Sequence, residues 1–287
     1  MKQHYRFPIN TTYTLKNTKF SKAKLQALLD EHYYTYNHPN AISMQNPDPL
    51  LKVYEYKTHQ NLAYIALICA LFSYGNVRAI LGFLAQLDFG ILDSKEAILG
   101  YDFPYYRFQS SDDVKLLFAS LYKLRKNGGI EDIMFKQQPL DSIYTMINTL
   151  HHTATQILSD KQQARHFSPL YLAKYKQNGF SQGFLFLVGN KISTSPLKRW
   201  NMFLRWMVRK DNIDLGIWNE NIKPSSLLLP LDTHTFRISH ILGLLQRKSY
   251  DIKAVLEVSA SLAKFCRQDP IRYDFALYRI GQSRAFP

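Results

Sequence analysis

The acid best placed to do chemistry in this chain is Asp232, in the segment Leu231-Asp232-Thr233-His234-Thr235-Phe236-Arg237-Ile238. An apolar run that ends in a proline, Leu227 to Pro230, comes directly before it. This pattern predicts a helix that starts at Asp232, because an aspartate there satisfies backbone N–H groups that have no partner inside the helix. The carboxylate can be a plain helix cap, and it can also hold a negative charge at the edge of a cleft. The two roles are compatible.

The elements that must position this acid are helices. Apolar residues recur at helical spacing through most of the chain, and no internal repeat or low-complexity block interrupts them. The sequence therefore predicts an all-α fold. The predicted helices cover residues 21–36, 60–71, 77–87, 110–126, 141–158, 198–210, 251–266 and 271–280.

Composition and charge indicate the kind of partner. The chain has 287 residues, 46% of them hydrophobic, and a formal net charge of +14. It is long enough to bury a sizeable core, and its basic residues are spread through foldable sequence. The charge favours a polyanion as partner, with nucleic acid first. An anionic membrane surface and simple solubility are the alternatives.

Several classes of protein are excluded. The two cysteines, Cys69 and Cys266, are too few for a disulfide scaffold or a four-cysteine metal site. Residues 1–8 lack the apolar core of a signal peptide. The apolar run at 62–72 is shorter than the roughly 20 residues that cross a bilayer. We therefore expect a soluble, cytoplasmic protein with no membrane partner.

A basic stripe lies on the predicted helix 198–210. At about 100° per residue, Lys198, Arg205 and Arg209 fall on one side, opposite an apolar side that includes Trp200 and Phe203. Such a stripe is either a solvated face or a face that contacts phosphates, and the charge of the chain supports the second interpretation.

The segment around Asp232 resembles the Val-Asp-Thr-His-x-x-Arg-Val segment of the helix-hairpin-helix DNA glycosylase superfamily, typified by endonuclease III. The helix that begins at Asp251 and the run from Tyr273 to Gly281 are similar to the helices that come after this segment in that superfamily. The run from Ala66 to Val77 is similar to its early helix and turn. The resemblance thus extends over most of residues 60–287, as in a bacterial branch of the superfamily.

The resemblance implies a fold and an activity. It implies two lobes around a cleft: a central domain at 57–198 that ends in a diverged hairpin, and a second domain that combines 1–56 with 199–287. It implies a base-excision DNA glycosylase that flips out a damaged base and cleaves its glycosidic bond. Asp232 would stabilise positive charge on the sugar. In bifunctional members a lysine also attacks C1′ to form a Schiff base and acts as an abasic-site (AP) lyase.

The hairpin of the superfamily, Leu-Pro-Gly-Val-Gly-x-Lys, is only partly present. The corresponding region, 187–199, keeps one of its glycines, Gly189. Lys198 lies 34 residues before Asp232, a spacing that resembles the archaeal 8-oxoguanine glycosylases. The resemblance therefore implies Lys198 as the nucleophile and 8-oxoguanine as the preferred damaged base. Lys191 is the alternative nucleophile.

The resemblance also implies contact residues. The expected DNA-contacting residues are Tyr74, Asn76, Gly189, Asn190, Lys191, Ser193, Ser195, Arg199, Arg205 and Arg209. The candidates for the base pocket are Tyr106, Arg107, Phe108 and His234.

The expected partner is double-stranded DNA that contains a damaged base, with no obligate protein partner. No cofactor is expected, since an iron–sulfur cluster needs four cysteines and two occur. Two other functions stay open, because fold alone does not determine function. One is a DNA-binding protein that has lost the chemistry, which the eroded hairpin supports. The other is an enzyme that acts on modified nucleotides or RNA.

Overall fold

The structure is a computed structural model that describes residues 21–191 and 193–282. In those residues the structure contains helices and no β-strand, so the all-α prediction is confirmed. The predicted second domain begins with residues 1–20 and ends with 283–287, which lie outside the described residues. The division into two lobes stays a prediction.

Fifteen α-helices are assigned in the described residues. The first eight are α1 (Lys22–Tyr36), α2 (Leu50–Tyr54), α3 (Leu62–Leu71), α4 (Val77–Leu84), α5 (Lys95–Gly100), α6 (Ser111–Lys126), α7 (Glu131–Met134) and α8 (Pro139–Ser159). The others are α9 (Lys161–Ala164), α10 (Pro169–Asn178), α11 (Gln182–Val188), α12 (Lys198–Val208), α13 (Thr233–Ile241), α14 (Ile252–Ala263) and α15 (Asp274–Gln282). Short 3-10 turns occupy Phe89–Asp93, Pro224–Ser226 and Pro270–Tyr273.

The predicted helix starts are formed by side-chain caps. The hydroxyl of Ser21 accepts from the backbone N–H of Lys24, and Ser110 forms a reciprocal capping box with Asp113. Asp251 caps α14 by accepting from the backbone of Ala254 at 3.0 Å. These contacts fix where the chain enters each helix, as the sequence predicts.

The start of the last helix is an exception. The sequence pattern predicts that Asp269 and Pro270 open it, but Pro270 begins a 3-10 turn and the α-helix starts only at Asp274. The carboxylate of Asp269 accepts instead from Nε of Arg209 at 3.0 Å. It is therefore engaged in an ion pair and does not cap the helix.

Helix α3 lies at the centre of the core. All ten of its residues are buried, which matches a helix that is apolar on every side. Helices α2 and α12 pack against it, while α1 and α13 pack against α15. The N-terminal and C-terminal helices thus meet, and α12 is held against the most buried helix of the protein. No helix among the described residues has the length and apolarity needed to cross a membrane.

The basic stripe predicted on α12 is not a phosphate-binding face. Arg205 is 5% exposed and Arg209 is 3% exposed, so neither guanidinium is open to a phosphate of the DNA backbone. Both belong to a buried ion network that consists of Arg205, Arg209, Asp211, Asp214, Asp269 and Asp274. The assignment of the two arginines to DNA contacts was wrong, because the acids that pair with them lie beyond the helix in sequence.

Asp214 is the centre of this buried ion network. Its two oxygens accept from Arg205 Nε at 3.2 Å and from Arg209 Nη1 at 2.6 Å. Arg205 also pairs with Asp274, at the start of α15, and Arg209 pairs with Asp269 in the preceding turn. Burial raises the pKa of Asp214 to about 6, against the opposing effect of both guanidinium groups. The network therefore joins α12 to the C-terminal part of the fold.

Removing one guanidinium from the network should be costly. In Arg209→Met, Asp214 and Asp269 lose a buried cation, and we expect the free energy of unfolding to fall by about 3 kcal/mol or more. The neighbouring exposed cation, Lys210, provides a matched control, because Lys210→Met should change the free energy of unfolding by less than about 0.5 kcal/mol. Urea denaturation measures both variants, and similar losses in the two would contradict a structural role for the network.

Candidate functional site

Lys198 and Asp232 face each other although 34 positions separate them. Lys198 Nζ lies 3.6 Å from Asp232 Oδ2, and both side chains are partly accessible to solvent. Lys198 is the first residue of α12, and Asp232 is the N-cap of α13. An amine and a carboxylate are therefore paired where two helices begin.

The two oxygens of Asp232 have different partners. Oδ1 accepts from the backbone N–H groups of His234 and Thr235 at 2.9 and 2.8 Å, and from the Thr235 hydroxyl at 3.0 Å. Oδ2 faces Lys198. The backbone N–H of Asp232 in turn donates to the Thr235 hydroxyl at 2.8 Å. The capping box therefore holds the carboxylate in place through Oδ1, and Oδ2 points toward the Lys198 amine.

The N-terminal end of α12 holds Lys198 in place. Leu197, directly before it, has a left-handed backbone with φ +52° and a buried side chain. One turn further, the indole N–H of Trp200 donates to the Val188 carbonyl at 2.9 Å, and the Asn201 amide donates to the Pro196 carbonyl at 3.1 Å. These bonds attach the helix start to the preceding segment.

Two cavities meet at this pair. The first has a volume of about 350 Å³, the second about 520 Å³, and Lys198 and Asp232 line both. Ser73, Tyr74 and Gly75 also belong to both linings. The amine and the carboxylate therefore lie on the boundary between two spaces, which can receive different parts of one ligand.

The first cavity is lined by carboxylates and aromatic rings. Asp48 and the buried Asp274 line it, as do Phe275 and Tyr278. Burial raises the pKa of Asp274, and the nearby guanidinium of Arg205 opposes the shift. The size of this cavity falls in the range of about 300–1,000 Å³ that is typical of small-molecule sites. Rings and hydrogen-bond acceptors together suit a flat polar group.

The second cavity follows the segment between α11 and α12. It is lined by the predicted nucleophile, Lys198, and by six of the predicted DNA-contacting residues: Tyr74, Gly189, Asn190, Ser193, Ser195 and Arg199. Tyr250 lies on the opposite side, where its hydroxyl donates to the Leu231 carbonyl at 2.8 Å. Burial and the charge of Asp232 raise the pKa of Tyr250 to about 12. The segment between α11 and α12 and the Asp232 carboxylate thus line one cavity.

Arg199 is the principal cation of the second cavity. It donates to the carbonyl groups of Leu71 and Phe186, and its guanidinium lies 5.2 Å from the Tyr74 ring centre and 4.8 Å from that of Phe186. Burial lowers its pKa to about 10. No carboxylate in the described part of the chain pairs with it, which leaves its charge available to an anion.

Gly189 is needed by the fold but does not offer a free N–H group. Its φ is +109°, and a Cβ there would stand 3.2 Å from Ile147 Cδ1. Its backbone N–H already donates to the Leu185 carbonyl at 2.9 Å. Any phosphate bound here must therefore be held mainly by side chains.

The remaining predicted residues lie outside both cavity linings. Lys191 and His234 are exposed, and Asn76 caps α4 through a bond from the Arg78 N–H at 2.9 Å. The four candidates for the base pocket, Tyr106, Arg107, Phe108 and His234, line neither cavity, and their role stays a prediction. Tyr106 is buried, and Arg107 and Phe108 form an exposed turn at its edge.

Sequence reasoning missed four residues that the structure brings to the site: Asp48, Tyr250, Asp274 and Tyr278. Asp274 and Tyr278 carried a usable signal, since they stand four positions apart and share one face of a helix. Asp48 and Tyr250 had no comparable signal, because their positions depend on how loops fold back.

The comparisons with known proteins yield one match. The family model described as "Protein of unknown function (DUF2400)" matches residues 48–283, which include every residue of both cavities except Ile42, Gln45, Asn46 and Pro47. No curated protein and no solved structure matches.

Two substitutions should separate the structural role of Asp232 from its charge. Asp232→Asn keeps an acceptor for the cap, so we expect the free energy of unfolding to stay within about 0.5 kcal/mol of the parent. Asp232→Ala removes the cap and should cost about 1 kcal/mol. Urea denaturation distinguishes them, and equal losses would show that Oδ1 does not act as a cap.

Proposed function

The chain belongs to the DUF2400 family, whose description gives no activity, and from its cleft we propose a DNA glycosylase that excises a damaged base and has Schiff-base lyase activity. The observation that carries the proposal is the pairing of Lys198 Nζ with Asp232 Oδ2, 3.6 Å apart on the boundary of two cavities. A carboxylate beside an amine can act as the base that takes its proton, which is one way in which a lysine nucleophile is activated.

The proposed steps use these two groups in turn. Asp232 takes a proton from Lys198, and the neutral amine attacks C1′ as the C1′–N glycosidic bond breaks. The base leaves with the bonding electron pair and takes the proton from Asp232, whose regenerated carboxylate then stabilises positive charge on the sugar. The sugar ring opens as a proton moves from the amine nitrogen to O4′, which gives a protonated Schiff base. β-Elimination then transfers a C2′ proton to the Asp232 carboxylate and expels the 3′-phosphate by breaking the C3′–O bond, which nicks the strand.

The first cavity is the proposed receptacle for the flipped base. Phe275 and Tyr278 offer ring faces, and Asp48 and Asp274 offer acceptors for N–H donors. Acceptors in this position favour a base whose edge carries donors, as guanine and its oxidised forms do. This supports a damaged purine, with 8-oxoguanine as the proposed substrate.

The second cavity is the proposed path of the DNA backbone. Arg199 supplies a cation without a carboxylate partner in the described residues, and Asn190, Ser193 and Ser195 supply polar side chains. Phosphate contacts of this kind position the duplex without reading its sequence. The net charge of +14 adds an attraction that weakens with salt.

A DNA-binding protein without catalysis is the second candidate. One observation favours it: the Gly189 N–H is already bonded to the Leu185 carbonyl, so this glycine cannot donate to a phosphate as a hairpin glycine would. Action on modified nucleotides or RNA is a third possibility, which the same cavities could accommodate.

Borohydride trapping tests the proposed nucleophile. We expect a covalent adduct with duplexes that contain an abasic site or 8-oxoguanine, because reduction fixes the Schiff base. The adduct should disappear in Lys198→Ala and persist in Lys191→Ala, a matched variant with an exposed lysine. Asp232→Asn should lower turnover by at least a hundredfold and leave duplex binding near the parent value.

Two outcomes would change this proposal. An adduct that persists in Lys198→Ala and is lost in Lys191→Ala would move the nucleophile to the exposed loop. Tight, salt-sensitive duplex binding without trapping or cleavage of either substrate would favour the DNA-binding protein.

Asp48→Asn tests whether the first cavity reads the base. Asn keeps an acceptor for the Leu50 N–H, which Asp48 Oδ1 binds at 2.8 Å, but replaces one carboxylate oxygen by a donor group. We expect kcat/KM on 8-oxoguanine to fall by roughly tenfold or more, in line with one lost base contact. Cleavage at a preformed abasic site should be unchanged, since no base enters the cavity. Equal losses on both substrates would contradict a role in base recognition.

A further inference from the structure

An exposed aromatic surface stands beside the two cavities and belongs to no step proposed above. It consists of Tyr74, Phe108 and Phe186 and is called the aromatic ledge here. Phe108 is 59% exposed and Phe186 is 44% exposed. The rings of Tyr74 and Phe108 are parallel within 3°, with centres 6.2 Å apart, and Phe186 meets both edge-on. Exposed rings arranged in this way bury little area within the protein itself.

The turn that carries Phe108 is held in a strained conformation. Tyr106 and Gln109 exchange backbone hydrogen bonds at 3.0 and 2.8 Å, which leaves Arg107 and Phe108 at the apex. Arg107 has φ +52°, in the left-handed region that a residue with a side chain seldom adopts. Strain of this kind persists where the surroundings enforce it, and it concentrates at functional sites.

Three side-chain bonds enforce this turn. The Tyr106 hydroxyl donates to the Tyr74 carbonyl at 2.7 Å, and the Tyr74 hydroxyl donates to Gln109 Oε1. The Gln109 amide donates to the Gly183 carbonyl at 2.9 Å. A Cβ at Gly183 would stand 2.4 Å from the Phe108 carbonyl oxygen, so α11 approaches the turn as closely as glycine allows. The ledge is therefore rigidly attached to the scaffold that bears the site.

The surroundings of the ledge indicate its ligand. The Arg107 guanidinium lies 5.6 Å from the Phe108 ring centre, and that of Arg199 lies 4.8 Å from the Phe186 ring centre. Tyr74 lines both cavities and Phe186 lines the second one, so the ledge is continuous with the site. Aromatic faces next to cations suit nucleobases that have lost their neighbours, because a base can stack while its phosphate meets the cation.

We propose that the aromatic ledge stacks on a second nucleobase, the one that flipping of the damaged base leaves unpaired in the opposite strand. The inference rests on the proposed function. The excised base enters the first cavity, whose lining does not include Phe108 or Phe186, so the ledge is free for another base. Phe108, at the exposed apex, makes the main contact.

Binding measurements in the Lys198→Ala background test this without turnover. The probe is a duplex with a tetrahydrofuran abasic analogue opposite 2-aminopurine, whose fluorescence falls when it stacks. Phe108→Ala should weaken binding of this duplex by on the order of tenfold, which is the effect expected of one lost stacking contact. The affinity for a fully paired duplex should change less than twofold. In the complex with the abasic duplex, the fluorescence of 2-aminopurine should be higher with Phe108→Ala than with Phe108, because the base is no longer stacked.

Two further variants make the result specific. Phe108→Trp keeps an aromatic ring and should therefore keep both the affinity for the abasic duplex and the quenching of 2-aminopurine. Phe108→Leu keeps only an apolar side chain and should lose both. Tyr34→Ala is the matched control, because Tyr34 is 70% exposed and lines neither cavity. Thermal melting of each variant confirms that it is folded.

The outcomes separate this inference from the proposed function. Selective loss in Phe108→Ala, together with no trapping or cleavage by the parent protein, would leave the ledge standing and remove the glycosylase. The proposed role of the ledge would be overturned if the Lys198→Ala protein bound the abasic duplex equally well with and without Phe108→Ala, or if the 2-aminopurine fluorescence did not change. This would hold even if the parent protein proved to be an active glycosylase.

Discussion

The buried ion network is the interaction on which the site depends. Arg205 connects the middle of α12 to Asp274 at the first residue of α15, and Asp214 connects both arginines to the segment that comes after α12. Lys198 stands at the start of the same helix, two turns before Arg205. The network thus fixes the helix that presents the amine and also builds part of the wall of the first cavity. Separating its charges would expose desolvated groups, which makes the arrangement rigid.

The network also sets the electrostatic character of the cavity. It contains four carboxylates and two guanidinium groups. Burial, with a smaller contribution from the neighbouring Asp211 carboxylate, raises the pKa of Asp214 to about 6 in spite of two adjacent arginines. Burial also raises the pKa of Tyr278, and the carboxylates of Asp232, Asp48 and Asp274 add to that shift. To the lining of the first cavity the network contributes Arg205 and Asp274, beside the carboxylates of Asp48 and Asp232 and the cations of Lys198 and Arg279. Charges of both signs therefore face a ligand there.

Local patterns in the sequence predicted local structure well. Asp232 was recognised as a cap because the groups it satisfies lie two and three positions away, and Ser21, Ser110 and Asp251 follow the same rule. Lys198 was assigned to the same site as Asp232 through the resemblance, and the structure brings the two together. The short helices α2, α5, α7 and α9 were not predicted, since helices of four to six residues show too little periodicity to stand out.

Contacts between distant segments account for what could not be predicted. Helical periodicity places Lys198, Arg205 and Arg209 on one face and so predicts one role for all three. It shows which residues share a face of the helix, but not which residues of other segments pack against that face. In the fold, that stripe meets solvent and a cavity at its first turn and a group of buried acids at its later turns. The same limit applies to Phe108, which the resemblance implies for the base pocket and which lies outside the lining of the first cavity, beside Arg107 with its left-handed backbone.

The adjacent cations Lys198 and Arg199 show how one helix start can serve two chemistries. Consecutive residues on a helix point about 100° apart, so the amine reaches Asp232 while the guanidinium reaches the carbonyl groups at the ends of α3 and α11. A carbonyl accepts hydrogen bonds without cancelling a full charge, so Arg199 is held in place and keeps its attraction for an anion. A lysine paired with a carboxylate can instead give up a proton to that partner. Under the proposed function, the side chain that binds phosphate and the side chain that attacks the sugar are neighbours in sequence, and the start of α12 sets the direction of each.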